Sequence, residues 1–431
     1  MRGSETNLPC LEAVRSLVQY YRNAILREGS RIMRKVRSRR SWTRIFAVGL
    51  VLMLVAVACG DDDAATTTTA APATTAAPAL PPIKIGLNAS LTGAFPVAGQ
   101  QFAGYYEATF DRINAAGGIN GRMVEVIVLD DGSEGDVALA NVQQLVRDDE
   151  VFALVTFGTP TTAGILPFVE AEGIPLVGPG AAFSGLIEPV KPNIFALYPL
   201  FDTQMRAVTD WAFEELGPGS AVIVRAEIPS LDSTAQAAED AVIAGGGEAL
   251  LTINAAIGEP DWGATVIQLQ DLQPDYVIMI TTGPDMARLF QEMTTQGFQP
   301  KAVLGPSPIA DQAFIDGAGE IPDGMVFGAV SGTVIATAAK ADPCRELKPE
   351  IEVMGLYGLD GCTSAEVMAE ALRLLGDEVT REGLLDLLAN SFGPFELPYT
   401  GEIRSADNHL LTDFIGIATI TGGELVEANA G

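Results

Sequence analysis

Histidine and cysteine are scarce in this chain of 431 residues, which has one histidine and four cysteines. Zinc centres need several cysteine or histidine ligands at close spacing, and the sequence contains no C-x-x-C pair. The loop after the first predicted strand lacks G-x-G-x-x-G, and no G-x-x-x-x-G-K-[ST] string occurs. The sequence therefore predicts no metal, no nucleotide and no other cofactor.

A nucleophile elbow is also missing. A hydrolase on an α/β fold needs a G-x-S-x-G turn, but the nearest string, residues 305–309, reads Gly-Pro-Ser-Pro-Ile. His409 is predicted to be an exposed turn residue rather than a catalytic base. The pair Asp130-Asp131 is predicted to end a strand rather than to act as acid and base. We therefore predict that the protein is not an enzyme.

Positive charge is scarce relative to negative charge, with 26 Lys and Arg against 55 Asp and Glu and a net charge of −29. Residues 1–58 hold 11 basic and three acidic side chains, which leaves a net charge of −37 on residues 59–431. Such a surface repels nucleic acid and anionic lipid head groups. No nucleic-acid partner is expected.

The apolar run Ile45–Ala58 is 14 residues long, whereas a membrane-spanning helix needs about 20. A basic patch precedes it at residues 34–40 and Cys59 follows it, and this layout resembles a bacterial lipoprotein signal. Residues 1–58 are predicted to be an upstream extension plus this signal, with Met33 as the true start and Cys59 as the lipid-modified residue. A retained signal anchor and a buried core helix are the alternatives.

Two further features concern the region after the signal. Residues 59–82 are rich in Thr, Ala and Pro and predict a flexible tether, with glycosylation of Thr66–Thr69 left open. Cys344 and Cys362 are the two cysteines that remain in the folded region. In an oxidising compartment they are predicted to form a disulfide, and two buried thiols are the alternative.

Strands and helices alternate from Ile83 onward. Short apolar runs such as Ile83–Asn88 are followed by segments of helical length such as Gln100–Ala116, and the same rhythm begins again after Tyr198. This alternation predicts parallel sheets with helices on both faces. We therefore predict an α/β protein with two doubly wound lobes.

The lobes are expected to share the remainder of the chain. Lobe 1 is predicted to comprise residues 83–198 with 329–411, and lobe 2 residues 199–328 with 412–431. The last hundred residues are too rich in helix to form a third lobe.

Three loops of lobe 1 follow predicted strands and are rich in Gly, Ser, Thr and Pro. They are residues 89–99, 157–162 and 178–184. In open parallel sheets, ligands bind beyond the carboxyl ends of the strands, where free N–H groups and hydroxyls converge. These loops predict a site for a carboxylate or another polar acceptor, although ordinary loop chemistry is the alternative.

Several strings resemble a known family in order and spacing. They are residues 83–86, 91–93, 111–121, 130–131, 172–181 and 261–277, of which the string Asn-Ala-Ala-Gly-Gly-Ile-Asn-Gly at 114–121 is the most specific. They resemble the extracytoplasmic solute-binding proteins of the Leu/Ile/Val-binding type, which are receptor subunits of ABC importers. The resemblance covers nearly all of residues 83–431.

The resemblance implies a type I periplasmic-binding-protein-like fold, with two lobes joined by a hinge of three crossovers. By analogy the crossovers fall near Tyr198, Gly328 and Leu411. It also implies that a ligand binds in the cleft and that the lobes close over it without making or breaking a bond.

The resemblance also implies ligand contacts. In lobe 1, the hydroxyl residue after the third strand falls at Thr159, with Thr161 as the alternative. The turn after the fourth strand falls at Gly180-Ala181, and Ala182 stands where the family usually has Ser or Thr, with Ser184 as a substitute.

In lobe 2, the aromatic wall of the family falls near Thr282, and the acidic residue that pairs with a ligand ammonium falls at Ser307. Phe95 and Phe183, with Pro96 and Phe157, are candidates for an apolar part of the cleft or for simple packing. Because an unpaired buried ammonium is costly, we expect a small polar or carboxylate-bearing solute that lacks the amino group.

These implications define the expected function. We expect a monomeric, lipid-anchored receptor outside the cell membrane that binds a small amino-acid-like, amide or carboxylate solute and delivers it to ABC permease subunits. The membrane is contacted through the lipid anchor only. A tethered sensor with the same fold is the alternative, and a passive surface lipoprotein is a third reading.

Overall fold

A computed structural model describes residues 80–331, 339–351 and 354–428. The predictions for the upstream extension, the signal, Cys59 and most of the tether therefore lie outside the described residues. Within those residues, no helix has the length and apolar character that crossing a bilayer requires.

The first sheet is parallel and has five strands in the order β2-β1-β3-β4-β5. β1 lies between β2 and β3 as an apolar strand whose side chains are almost all buried, as expected of a parallel strand covered on both faces. Its strands are β1 (Ile83–Ala89), β2 (Val124–Asp130), β3 (Ala153–Phe157), β4 (Leu176–Val177) and β5 (Ile194–Phe195). The helices between them are α1 (Pro96–Ala115), α2 (Gly135–Arg147) and α3 (Thr159–Glu172).

The second sheet has seven strands in the order β14-β13-β10-β9-β8-β6-β7. The central strands are parallel, and β13 and β14 extend the sheet antiparallel at one edge. The strands are β6 (Ser220–Ala226), β7 (Glu248–Ala255), β8 (Tyr276–Ile280), β9 (Ala302–Gly305), β10 (Val326–Ser331), β13 (Ile415–Thr421) and β14 (Glu424–Glu427). The helices are α4 (Phe201–Leu216), α5 (Asp232–Ala244), α6 (Gly263–Leu272), α7 (Gly283–Thr295) and α8 (Gln312–Ala318).

The remaining elements lie between β10 and β13 in sequence. They are α9 (Asp342–Arg345), α10 (Leu356–Leu375), α11 (Arg381–Asn390) and the hairpin of β11 (Phe395–Glu396) with β12 (Glu402–Ile403). α10 and α11 share one apolar core with β1 and α1. A disulfide joins Cys344 to Cys362 and so connects the segment around α9 to α10.

The α/β fold class with two parallel-sheet lobes is confirmed. Some details differ from expectation. β10 continues in the second sheet to Ser331, three residues past the predicted crossover at Gly328. Residues 342–350 contain only the short α9 and the turns that follow it. The exact division of the chain between the lobes stays a prediction.

The prediction for His409 is wrong in one respect. The residue does lie in a turn, with a positive φ of 58°, but its side chain is buried. Its ring stacks on Phe195 with 4.3 Å between ring centroids, and its Nδ1 lies 3.1 Å from the carbonyl oxygen of Ile194. The imidazole therefore packs against the last strand of the first sheet, away from solvent.

Candidate ligand-binding cleft

A cavity of about 180 Å³ lies between the two lobes, beyond the carboxyl ends of the parallel strands. Lobe 1 contributes the start of α1, the β3–α3 turn and the turn after β4. Lobe 2 contributes the start of α7 and the loops after β6 and β9. The lining residues are 94–98, 157–160, 180, 201, 226, 228, 231, 281–284, 308, 311 and 357.

Two carboxylates fix the lobe 1 loop that enters the cleft. Asp131, which is fully buried, accepts hydrogen bonds from Asn88 Nδ2 at 2.8 Å and from Ser90 Oγ at 2.7 Å. Asp130 accepts from the backbone N–H groups of Leu91 and Thr92 at 2.9 and 3.2 Å. This pair therefore orders the segment that leads to α1, which agrees with its expected place at the end of β2.

These hydrogen bonds also change the acidity of Asp130. Slight burial acts to raise the pKa of Asp130, but the hydrogen bonds from Gly132, Thr92 and Leu91 outweigh it and hold this pKa below its ordinary value. The carboxylate therefore stays ionised at neutral pH and keeps its hydrogen bonds to the loop.

Prolines stand in the first turn of three helices that reach the cleft. They are Pro96 in α1, Pro160 in α3 and Pro284 in α7. Pro308, the second residue of a short 3-10 helix, also lines the cavity. Proline is tolerated in a first helical turn, where its missing N–H costs no intrahelical bond. Each ring here adds apolar surface to the cavity and removes one possible donor to a ligand.

Two threonines of lobe 2 are turned away from the ligand space. Thr282 Oγ1 donates to Asp285 Oδ2 at 2.9 Å and accepts from the backbone N–H of Asp285. Thr281 Oγ1 donates weakly to the same carboxylate oxygen at 3.4 Å. Asp285 is fully buried and also pairs with Arg288. Both hydroxyls form hydrogen bonds at the start of α7. This wall of the cleft therefore offers few hydroxyl groups to a ligand.

The other lining residues with polar side chains are Thr159, Asp311 and Tyr357. Thr159 opens α3, whose first-turn N–H groups have no intrahelical partner and favour an anionic group. The ring of Tyr357 stands edge-on to Phe157 with 5.1 Å between ring centroids. Burial raises the pKa of Tyr357 well above its ordinary value, and the nearby charge of Asp311 adds to that.

Four of the eight predicted ligand contacts line the cavity. They are Phe95, Thr159, Gly180 and Thr282. Pro96 and Phe157, which were candidates for its apolar part, also line it. Their positions follow from the rule that ligands bind at the carboxyl ends of parallel strands.

The other four lie outside the described lining. Thr161 is buried and donates to the carbonyl oxygen of Gly158 at 3.2 Å. Ala181 and Phe183 are buried in the core cluster of the first sheet. Ser307 is buried, and its N–H donates to Gln204 Oε1 at 2.8 Å. The roles of all eight residues in ligand binding stay predictions.

The cavity includes residues that sequence reasoning missed. Asp311 and Tyr357 are the most informative, because they add an acid and a phenol to an otherwise apolar lining. Asp311 follows the predicted position at Ser307 by four residues. Nothing local in the sequence marked Tyr357, which begins α10 far along the chain.

No group of three or more His, Cys, Asp or Glu side chains in the described ranges is arranged to hold a metal ion. A cleft between two doubly wound lobes, beyond the carboxyl ends of their parallel strands, is a common place for a small-molecule site.

The chain belongs to the periplasmic binding protein family, whose model matches residues 82–424. The Leu/Ile/Val-binding protein of Escherichia coli K12 is 24% identical over 245 residues, or 57% of this chain. The chain spans 66% of the length of that relative. These relatives are named as binding proteins, which supports a binding role rather than an enzymatic one.

Solved structures share the fold. A solute-binding protein of an ABC transporter from Rhodopseudomonas palustris BisB5, in complex with 3,4-dihydroxybenzoic acid, has a TM-score of 0.70 at 20% identity. The match covers 80% of this chain and 96% of that one. A branched-chain amino acid transporter substrate-binding protein from Streptococcus pneumoniae, in complex with isoleucine, has a TM-score of 0.68 at 20% identity, covering 80% of this chain and 99% of that one.

Proposed function

We propose that this protein is a lipid-anchored receptor outside the cell membrane that captures a small solute and delivers it to the permease subunits of an ABC importer. The observation that carries the proposal is the largely apolar cavity of about 180 Å³ between the lobes. Membership in the periplasmic binding protein family supports the binding role. Delivery and anchoring rest on the lipoprotein-like signal and on the resemblance.

The lining favours a solute with an apolar body and one compact polar head. Aromatic, aliphatic and proline side chains form most of the wall, which suits burial of hydrocarbon. The polar groups are few. The head is expected to lie near Thr159 and the start of α3, with Asp311 and Tyr357 within the same cavity.

Asp311 changes the expected chemistry of that head. Asp311 is buried, and its carboxylate is the one acidic group among the described lining residues. An acid in an apolar cavity favours a ligand that brings a positive charge or an N–H donor. We therefore propose a nitrogen-bearing head, such as an amino acid or an amide, in place of a carboxylate that lacks nitrogen.

Calorimetry with four ligands of the same body tests this proposal: leucine, 4-methylpentanamide, 4-methylpentanoate and isopentylamine. We expect leucine or the amide to bind at least about 10-fold more tightly than 4-methylpentanoate, since one hydrogen bond to a charged group contributes about 1.5–3 kcal/mol. Equal binding of leucine and 4-methylpentanoate would remove Asp311 from the head-group site. If none of the four bound, the proposal that the cleft takes a ligand with this branched aliphatic body would be contradicted.

Thr159→Ala is expected to weaken binding of the best of these ligands by about 10-fold, because it removes a hydroxyl donor while α3 keeps its backbone N–H groups. The matched control is Thr203→Ala, which deletes the same hydroxyl at an exposed position of α4 outside the lining. An affinity unchanged by Thr159→Ala, measured by the same calorimetry, would place the ligand elsewhere in the cleft.

Cys59→Ser tests the anchor. If Cys59 carries the lipid, this variant is expected to move from the membrane fraction to the soluble fraction and to lose incorporation of labelled palmitate. Cys10→Ser is the control and should leave both readouts unchanged, since residue 10 lies in the predicted upstream extension. Membrane retention of the Cys59 variant would favour a signal anchor instead.

A further inference from the structure

A second, smaller cavity of about 20 Å³ lies at the predicted hinge, away from the ligand cleft. Two of the three expected crossovers border it, at residues 197–198 and 412–414. The other lining residues are 359, 360 and 363 of α10 and 399–401 and 403 of the β11–β12 hairpin. A cavity of this size holds about one water molecule.

The carboxyl group of Asp360 belongs to this lining. The residue is 8% exposed, and no hydrogen bond or ion pair from the described residues reaches its side chain. Only its backbone oxygen is engaged, accepting from Tyr198 Oη at 2.5 Å. None of the described residues around the cavity is Lys, Arg or His. A buried carboxylate without a counter-ion is costly, so the neutral acid is the favoured form.

Thr363 and Thr400 line the same cavity as Asp360, and each carries a hydroxyl. Thr400 Oγ1 is buried and has no partner in the described residues. Thr363 Oγ1 donates instead to the carbonyl oxygen of Leu359 at 2.8 Å. One water could therefore join the acid of α10 to the hydroxyl of the hairpin, which would satisfy both groups.

The surrounding groups leave Asp360 as the group that titrates. Burial raises its pKa well above the ordinary value, and the charge of Asp311 adds to this. Burial also raises the pKa values of Tyr198, Tyr357 and Tyr399, so these phenols stay neutral. The more distant groups that act on these phenols are Tyr106, Glu366 and Arg112.

We propose that Asp360 is a proton switch of the hinge, which holds its proton while the lobes are closed and releases it when the opening hinge admits water. The crossover at Tyr198 and the one at residues 412–414 border the cavity, so their movement changes its hydration. The inference rests on the proposed function only in taking these crossovers as the moving hinge. Asp360 would regulate opening of the ligand cleft without itself contacting the ligand.

The sign of the pH dependence follows from linkage. The closed state has the higher pKa for Asp360, so closure takes up a proton. The closed state is fully favoured below the pKa of the open state, and this advantage is lost as the pH rises through the pKa of the closed state. Rising pH is therefore expected to open the hinge.

Hydrogen–deuterium exchange of the full chain without ligand tests the switch, so the result does not depend on which solute binds. After correction for the intrinsic rate, peptides that contain residues 197–198 and 412–414 should exchange faster at about pH 9 than at about pH 5. Asp360→Asn, which mimics the neutral acid, should lose this pH dependence. Asp377→Asn, at an exposed position just beyond α10, should keep it.

Asp311→Asn gives an independent readout if the Asp360 variant does not fold. Removing the charge that raises the pKa of Asp360 should move the midpoint of the exchange transition to lower pH. Three results would overturn the proposal: no pH dependence in the parent chain, an unchanged dependence in Asp360→Asn, or faster exchange of that variant by the same factor at every pH. The last result would indicate a purely structural residue.

Discussion

Gly361→Ala is expected to lower the free energy of unfolding by about 4 kcal/mol. Gly361 lies in α10 where that helix crosses α1, and a Cβ atom there would lie 2.1 Å from the carbonyl oxygen of Phe102. Backbone cannot rotate aside as a flexible side chain does, so the helices must move apart. Because this helix pair shares the core of lobe 1, its separation would disturb the whole lobe. Denaturant unfolding followed by circular dichroism measures the loss.

Gly104→Ala is the matched control for that prediction. It places the same methyl group on α1, the other helix of the pair, where the nearest atom is the flexible end of Lys348 at 3.4 Å. Alanine is favoured over glycine in a helix interior by up to about 1 kcal/mol, so this variant should be as stable as the parent or more stable. A similar loss in both variants would show that the cost at Gly361 does not come from the helix crossing.

The architecture could be predicted because its signals are local. Apolar runs such as Ile83–Asn88 mark strands buried on both faces, and glycine-bearing loops mark the carboxyl ends where a site forms. The loops at residues 89–99 and 157–162, which contain Phe95 and Thr159, were placed at the cleft in this way. The resemblance then singled out Thr159 within its loop. The same rule placed Phe157 at the cleft.

The rest of the site depends on contacts that sequence position does not reveal. Tyr357 reaches the cleft because α10 packs across α1, more than two hundred residues away in the chain. Asp311 lines the cleft at the end of the 3-10 helix that follows β9. Thr282 and Ser307 were predicted from the family pattern, yet their hydrogen bonds go to Asp285 and Gln204. The local sequence pattern predicts where a loop lies, but it does not predict which way the side chains of that loop point.

The burial of His409 also could not be predicted from its local sequence. A lone histidine in a polar string favours an exposed turn, and the backbone does turn there. The stacking on Phe195 arises because the chain after β12 returns beside β5, where Ala196 pairs with Leu410. The sequence neighbours of His409 are therefore polar, whereas its side chain packs against the aromatic ring of Phe195.

Ala98→Trp is expected to lower the affinity for the best ligand by at least about 1,000-fold, or about 4 kcal/mol. Ala98 lies in the first turn of α1, is half-buried and lines the cleft. An indole there fills much of a cavity of about 180 Å³ and leaves no room for a solute body between the lobes. Because the side chain is partly open to solvent, the ring can enter the cleft without overpacking a core. Calorimetry measures the affinity.

Ala108→Trp separates a blocked cleft from a disturbed helix. It makes the same change on the same helix at a similarly half-buried position that lies outside the cleft lining. We expect it to bind ligand like the parent chain, while Ala98→Trp unfolds at a similar denaturant concentration but does not bind. If Ala98→Trp retained affinity, the ligand could not occupy the space between α1 and the start of α7, and the interlobe cavity would no longer support the proposed function. Loss of binding in both variants would instead implicate α1 as a whole.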